Sequence, residues 1–288
     1  ILIGRLDQLG VQVQWGTRLT GLENQPHHVA VKLERQGQPQ ETSTFEWVVG
    51  CDGARSTVRK TLGIAFEGKK YSEAFNLADV ELQGAPPEMN DHVSFFFSSA
   101  GVVFASPLAH SRHRLIIEEP PGSADEVKDA LTLGEFQTSW QERVQYPAAK
   151  DAKLTKDVWR SRFTIQQRLA EKFWQGRTLL AGDAAHIHSP VGAQGMNGGI
   201  QDALNLAWKL TLVIQDHAKA SLLESYTQER RPFAQNVLRF TDLATKGATL
   251  RHPAGCAVRN TVLQLVANRK SFQKRMVNVF AGIFTHYQ

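Results

Sequence analysis

Cysteine is scarce in this sequence: Cys51 and Cys256 are the only two in 288 residues. They form no C-x-x-C pair and no zinc spacing, so two reduced thiols are expected rather than a disulfide framework or a metal site. No apolar run approaches the roughly 18 residues that a membrane-spanning helix needs, and no membrane span is expected. The opening ILIGRL lacks a basic–apolar–small pattern; no export signal is expected, and a cytoplasmic location is. Neither G-x-S-x-G nor H-E-x-x-H occurs, which argues against hydrolase chemistry. No one sign of charge dominates: 33 Lys and Arg against 28 Asp and Glu leave +5. The basic residues are scattered and never run beyond a pair, so nucleic acid is not an expected partner.

What remains fits a globular chain, with 42% hydrophobic and 21% charged residues. The length allows one large domain or two ordinary ones. Ile1 to Leu9 has helical spacing and ends at Gly10; Val11, Val13 and Trp15 alternate as a strand. Thr17 to Leu22 reads as a strand, and Val29–Leu33 with Phe45–Val48 as a hairpin around QGQPQ. Trp47 to Cys51 is a short buried strand ending at Asp52 and Gly53. Between Phe66 and Trp159, short apolar runs separated by Gly, Pro and Ser predict an antiparallel sheet, with a helix over Asp125 to Tyr146. Helix dominates after Gly199: Ile200–Ile214, Leu222–Arg239 and a tail from Val258 to Phe284. No internal repeat is present.

The stretch LLAGDAAHIHSPVGAQGMNGGIQDALNLAWKL, Leu179 to Leu210, orders a strand, an acid, a glycine-rich loop and a helix. Gly182 and Asp183 fall at the carboxyl end of the strand, where open α/β sheets bind ligands. Asp183 can accept from a sugar or ribityl hydroxyl. Glycines at 192, 195, 198 and 199 let a flat or anionic ligand approach the backbone. The amides near Gly195 to Asn197 and the helix dipole favour negative charge. Ile200, Ala203, Leu204, Ala207 and Leu210 form the predicted buried face, with Asp202 and Asn205 elsewhere on the wheel. An isoalloxazine ring with its ribityl chain meets these demands. So does a phosphate, and a tight glycine turn before a core helix would use the same residues. His186 and His188 form an H-x-H pair without a third ligand nearby, so no metal is expected. Phe95, Phe96 and Phe97 either line a pocket on one alternate face or fill a sheet core.

Two motifs resemble the class A flavin-dependent monooxygenases, the group of p-hydroxybenzoate and phenol hydroxylases. One is GRTLLAGDAAHIHSPVGAQGMNGGIQDALNLAWKL; the other is VVGCDGARSTVRKTLGI. RFTIQQRLAEKFWQGR and LLESYTQERRPFAQ add to the likeness. The resemblance implies an α/β, two-lobed fold: a Rossmann-like FAD-binding domain, N-terminally truncated, with an inserted antiparallel-sheet lobe and C-terminal helices. Its parts would be 1–65 and 173–240 for FAD, 66–172 for the substrate and 241–288 as a helical segment. It implies that Gly182 belongs to the cofactor site, that Asp183 bonds the ribityl chain, that Pro190 lies by the ring, and that the backbone of Gly195, Met196 and Asn197 faces its pyrimidine edge. Asp52, Gly53 and Arg55 match a motif serving both FAD and the reduced nicotinamide, with Ser56 capping the helix there. Arg55 and Arg59 read equally well as surface charges on that helix. Ala193 stands where the family often has glycine. The G-x-G-x-x-G fingerprint and the acid that follows it are absent.

The implied reaction is hydroxylation of a small phenolic or polyketide-like aromatic substrate with NAD(P)H and O2, through a flavin C4a-hydroperoxide. No catalytic base is singled out, and a homodimer stays open. Two alternatives compete with this reading: a related flavin epoxidase or reductase, and a non-catalytic remnant of such a flavoprotein.

Overall fold

The computed structural model describes residues 1–190, 194–267 and 269–280. Gly192, Ala193 and the last part of the predicted tail, 281–284, lie outside them.

The chain opens with α1 (Leu2–Gln8), which buries no residue. Residues 11–14 carry no strand, so the alternation of Val11, Val13 and Trp15 misleads. Among the described residues no strand pairs with it, and Val11 and Trp15 are exposed. A three-stranded antiparallel sheet follows, from β1 (Thr17–Asn24), β2 (Val29–Arg35) and β3 (Glu41–Phe45). β4 (Val48–Gly50) leaves that sheet and leads into α2 (Thr57–Thr61).

β5 (Phe66–Gln83) is one strand of 18 residues, where the sequence suggests short ones. Register shifts between Lys70 and Ala74, and between Asp79 and Glu81, break its alternation. β6 (Ser94–Ser98), β7 (Gly101–Leu108) and β8 (Arg112–Glu118) continue the sheet. α3 (Leu133–Arg143) replaces the helix expected from Asp125. Thr132 and Glu135 form a reciprocal capping box, which fixes the start of α3 and satisfies its first amides. After α4 (Pro147–Lys150) comes the equally long β9 (Lys153–Ala170), then β10 (Trp174–Gln175), β11 (Thr178–Leu180) and β12 (His186–Ile187). α5 (Gly195–Ile214), α6 (Leu222–Ala248), α7 (Pro253–Ala267) and α8 (Lys270–Phe280) complete the described chain.

β10, β11 and β4 form a second sheet, in which β11 and β4 run parallel. The third sheet has six antiparallel strands in the order β12-β9-β5-β8-β7-β6. Two cores result. Leu179, Leu180, Phe173, Leu206, Leu223 and Tyr226 join β11 to α5 and α6. Val103, Leu115, Ile117, Phe136 and Trp140 join the large sheet to α3.

Candidate functional site

Parallel pairing sets the geometry. Leu180 lies opposite Gly50 in the β11–β4 register, and the Ala181 amide donates to the Gly50 carbonyl at 3.0 Å. The loops carrying Asp52–Gly53 and Gly182–Asp183 therefore leave the same end of the same sheet. Gly50 allows this closeness: a Cβ there would come within 2.8 Å of Val58 in α2.

The Asp52 carboxylate is already engaged. It accepts from Ser56 Oγ at 2.5 Å, from the Thr57 amide at 2.6 Å and from the Val58 amide at 3.1 Å. Ser56 caps α2 as expected, accepting from the Arg59 amide at 2.9 Å. Gly53 takes φ +77°, which favours glycine, and Arg55 is exposed. Arg59 is not a surface charge. It is 4% exposed and lies 3.7 Å over the Phe66 ring. It donates to the Ala54 and Ala184 carbonyls, each at 2.8 Å, and so spans both loops.

Gly182 takes φ +60°, and a Cβ on it would sit 3.7 Å from the Gly199 Cα in the first turns of α5. Asp183 is exposed beside it, as is Pro190 further along. α5 begins with Gly195, Met196 and Asn197, with no side-chain cap from Gln194 and no acid in its first turn. Among the described residues no side chain caps this amide end, which presents positive polarity. Gly182 is thus brought against the helix that Gly195, Met196 and Asn197 begin, and Arg59 ties the loop of Asp52, Gly53 and Arg55 to the turn of Gly182 and Asp183.

The buried face of α5 is the reverse of the one expected. Asp202, Asn205, Leu206 and Lys209 are buried, whereas Met196, Ile200, Leu204 and Trp208 are exposed. The reason lies in α6. Arg230 Nε donates to Asp202 Oδ1 at 2.7 Å, and Lys209 Nζ reaches Glu229 at 2.8 Å and Asn205 at 2.9 Å. Asp202 Oδ2 also accepts from the Gly182 amide at 2.9 Å and from His186 Nε2 at 2.7 Å. Burial pushes the Asp202 carboxyl up, but His186 and Arg230 outweigh it and hold it below the usual carboxylate range. Asp202 and Arg230 thus belong to the site, though neither stood out in the sequence. The signal was there as polar residues at 202, 205 and 209, helical spacing that matches the adjacent Glu229–Arg230 pair.

His188 is half-buried, and its Nδ1–H donates to the Ser189 carbonyl at 2.8 Å. Burial holds its imidazole below the ordinary range. The phenylalanine run divides by strand alternation. Phe96, half-buried, packs edge-on against Trp140 at 5.5 Å, on the lobe core. Phe95 and Phe97 stack at 6.2 Å on the other face, where Phe95 meets Phe104 at 5.1 Å.

A family model described as FAD binding domain matches residues 1–241. Pentachlorophenol 4-monooxygenase of Sphingobium chlorophenolicum is 36% identical over 80% of this chain and 42% of its own length. 6-Methylpretetramide 4-monooxygenase of Streptomyces rimosus is 33% identical over 100% of this chain and 51% of its own. Among solved structures, an anhydrotetracycline hydroxylase from Streptomyces rimosus superposes with TM-score 0.79 at 30% identity, covering 100% of this chain and 56% of that one. The chain spans about half the length of the curated relatives it matches.

Proposed function

The chain belongs to the FAD binding domain family, and from that premise we propose that it is the FAD-facing part of an aromatic-ring monooxygenase. One observation carries the reading: two parallel strands deliver Asp52–Gly53 and Gly182–Asp183 side by side, with the Gly182 turn packed against the first turns of a glycine-rich helix. In this reading the Asp183 carboxylate accepts from the ribityl hydroxyls. The amides of Gly195, Met196 and Asn197 face the pyrimidine edge of the ring, where negative charge gathers on reduction. Pro190 lies against the ring. Gly53 and Arg55 serve FAD and the reduced nicotinamide, while Asp52, its oxygens spent on α2, shapes that loop.

The residues fit the group. Among the described residues a Cβ on Gly195 would meet no atom within 4 Å beyond its own chain neighbours and helix backbone, so packing does not demand glycine there. A bare backbone beside a positive helix end suits a flat, electron-rich ligand. FAD, when bound, supplies the redox and oxygen-activating chemistry, with NADH or NADPH as electron donor and O2 as oxidant. The chain's own part is to grip, orient and polarise.

The same reading assigns 1–65 and 173–240 to the cofactor, 66–172 to the substrate and 241–288 to a helical segment. Relatives named for pentachlorophenol and 6-methylpretetramide favour aromatic substrates, and the exposed Phe95 on the large sheet offers a matching apolar surface.

Titration of the purified chain with FAD tests the proposal. Saturable quenching of flavin fluorescence, weakened about tenfold in Asp183→Ala, supports it. A chain that leaves the flavin spectrum and fluorescence unchanged overturns it. Product formed under labelled dioxygen then separates hydroxylation, which retains the label, from a reductase reaction, which does not.

A further inference from the structure

We propose that Asp202 is the positioning residue of this site, holding the Gly182–Asp183 turn at a fixed spacing from the first turn of α5. Its purpose rests on the flavin reading above; its geometry does not. The Asp202 side chain is 0% exposed and accepts from three elements at once. Gly182 donates from the turn after β11, His186 from β12 and Arg230 from α6. Arg230 also donates to the Gly198 carbonyl at 3.1 Å, so the cation that neutralises Asp202 fastens the first turn of α5. One carboxylate and its partner therefore grip both ligand-facing parts, the acid turn and the helix start.

Stability alone does not require this arrangement. The surrounding core is apolar, built from Leu179, Leu180, Ala184, Ala185 and Tyr226. In such a place a well-packed hydrophobic pair is often as stable as a buried ion pair. What an apolar pair cannot do is accept the Gly182 amide, whose residue sits at φ +60° against Gly199. The carboxylate sets a distance that hydrophobic packing leaves loose.

The experiment compares Asp202→Asn with the charge-free pair Asp202→Leu/Arg230→Met in the full chain. The double variant keeps the site folded if the single one does not. Amide hydrogen exchange over residues 182–185 is read without ligand, beside the thermal midpoint; flavin affinity is read by fluorescence titration. The expected result for the double variant is a cooperative melt with a lowered midpoint, because the Gly182 amide and the His186 ring lose their acceptor, together with exchange at Gly182 about tenfold faster beyond any general change at other core amides and an FAD dissociation constant about tenfold higher. Slow exchange at Gly182, unchanged from wild type in the folded double variant, overturns the proposal whatever the flavin does. Fast exchange in the variant, together with a wild-type chain that binds no FAD, upholds Asp202 as the anchor of the turn and overturns the flavin reading instead.

Discussion

Arg59 in α2 donates to the Ala184 carbonyl at 2.8 Å, across 125 positions of sequence. Its other amino group holds Ala54, so a single side chain fastens the loop after β4 to the turn after β11. Arg59→Met should leave the buried Ala184 carbonyl unpaired and free the more exposed Ala54 carbonyl, destabilising the fold by about 2 kcal/mol. Arg59→Lys keeps the charge but not the fork, and should recover less than half of that loss. Urea denaturation of the three proteins checks both statements; equal midpoints for wild type and Arg59→Met would show that the bridge contributes nothing.

Gly195 and Gly50 separate two reasons for a glycine. At Gly50 a Cβ would collide with Val58, so Gly50→Ala should cost about 1–3 kcal/mol through overpacking. At Gly195 a Cβ would meet nothing, and alanine is the better helix former. Gly195→Ala should therefore raise stability by about 0.5 kcal/mol while weakening FAD binding. Thermal melts and flavin titration of both variants read the two effects apart.

The local parts of this site were legible in the sequence, and the parts made by distant partners were not. The strand Thr178–Leu180, the glycine turn and the helix to Ile214 follow from composition and order within one short stretch. The orientation of that helix does not. A wheel drawn on α5 alone puts Ile200 and Leu204 inside, because apolar residues normally go there. Arg230 and Glu229 in α6 instead supply ionic partners that make Asp202 and Lys209 the buried side. Bulges hid the length of β5 in the same way: each register shift resets the inward–outward alternation, so one long strand reads as several. Arg59 was ambiguous for want of Ala184, which lies in another motif.

Asp242 gives the fold a predictable response to acid. It accepts from Lys69 Nζ at 2.6 Å and from Tyr71 OH at 2.7 Å, and pairs with Lys246 at 2.9 Å. Burial alone would raise its carboxyl, but the hydrogen bonds from Lys69, Tyr71 and Lys246 hold it far below the usual range. A depressed folded value means that the stabilisation is fully present above the unfolded value of about 4 and is lost progressively as pH falls from there through the depressed folded value. Lys69 and Lys246 are largely solvated, so the contribution is about 1 kcal/mol at neutral pH. Asp242→Asn should lower the urea midpoint at pH 7, and by progressively less as pH falls below about 4. A difference of constant size across that range would assign the loss to packing instead of charge.

The phenylalanine run offers a test of which sheet face meets a ligand. Phe96 is half-buried and packs on the core at Trp140, so Phe96→Ala should cost about 2 kcal/mol. Its effect on any ligand should come only through unfolding. Phe95 is 44% exposed, with its ring held by Phe97 and Phe104. Removing a ring that water already reaches should cost less than about 1 kcal/mol, yet it deletes a stacking surface worth about 0.5–1.5 kcal/mol to an aromatic guest. Phe95→Ala should thus weaken binding of a phenolic or fused-ring ligand several-fold with the melt nearly unshifted, as measured by calorimetric titration. The opposite pattern, with Phe96→Ala abolishing affinity in a protein that is still folded and Phe95→Ala leaving it intact, would move the substrate to the α3 side of the sheet. That side is filled by Phe136 and Trp140, both 0% exposed, so a guest there would have to displace close-packed core, whereas the Phe95 face requires no such displacement.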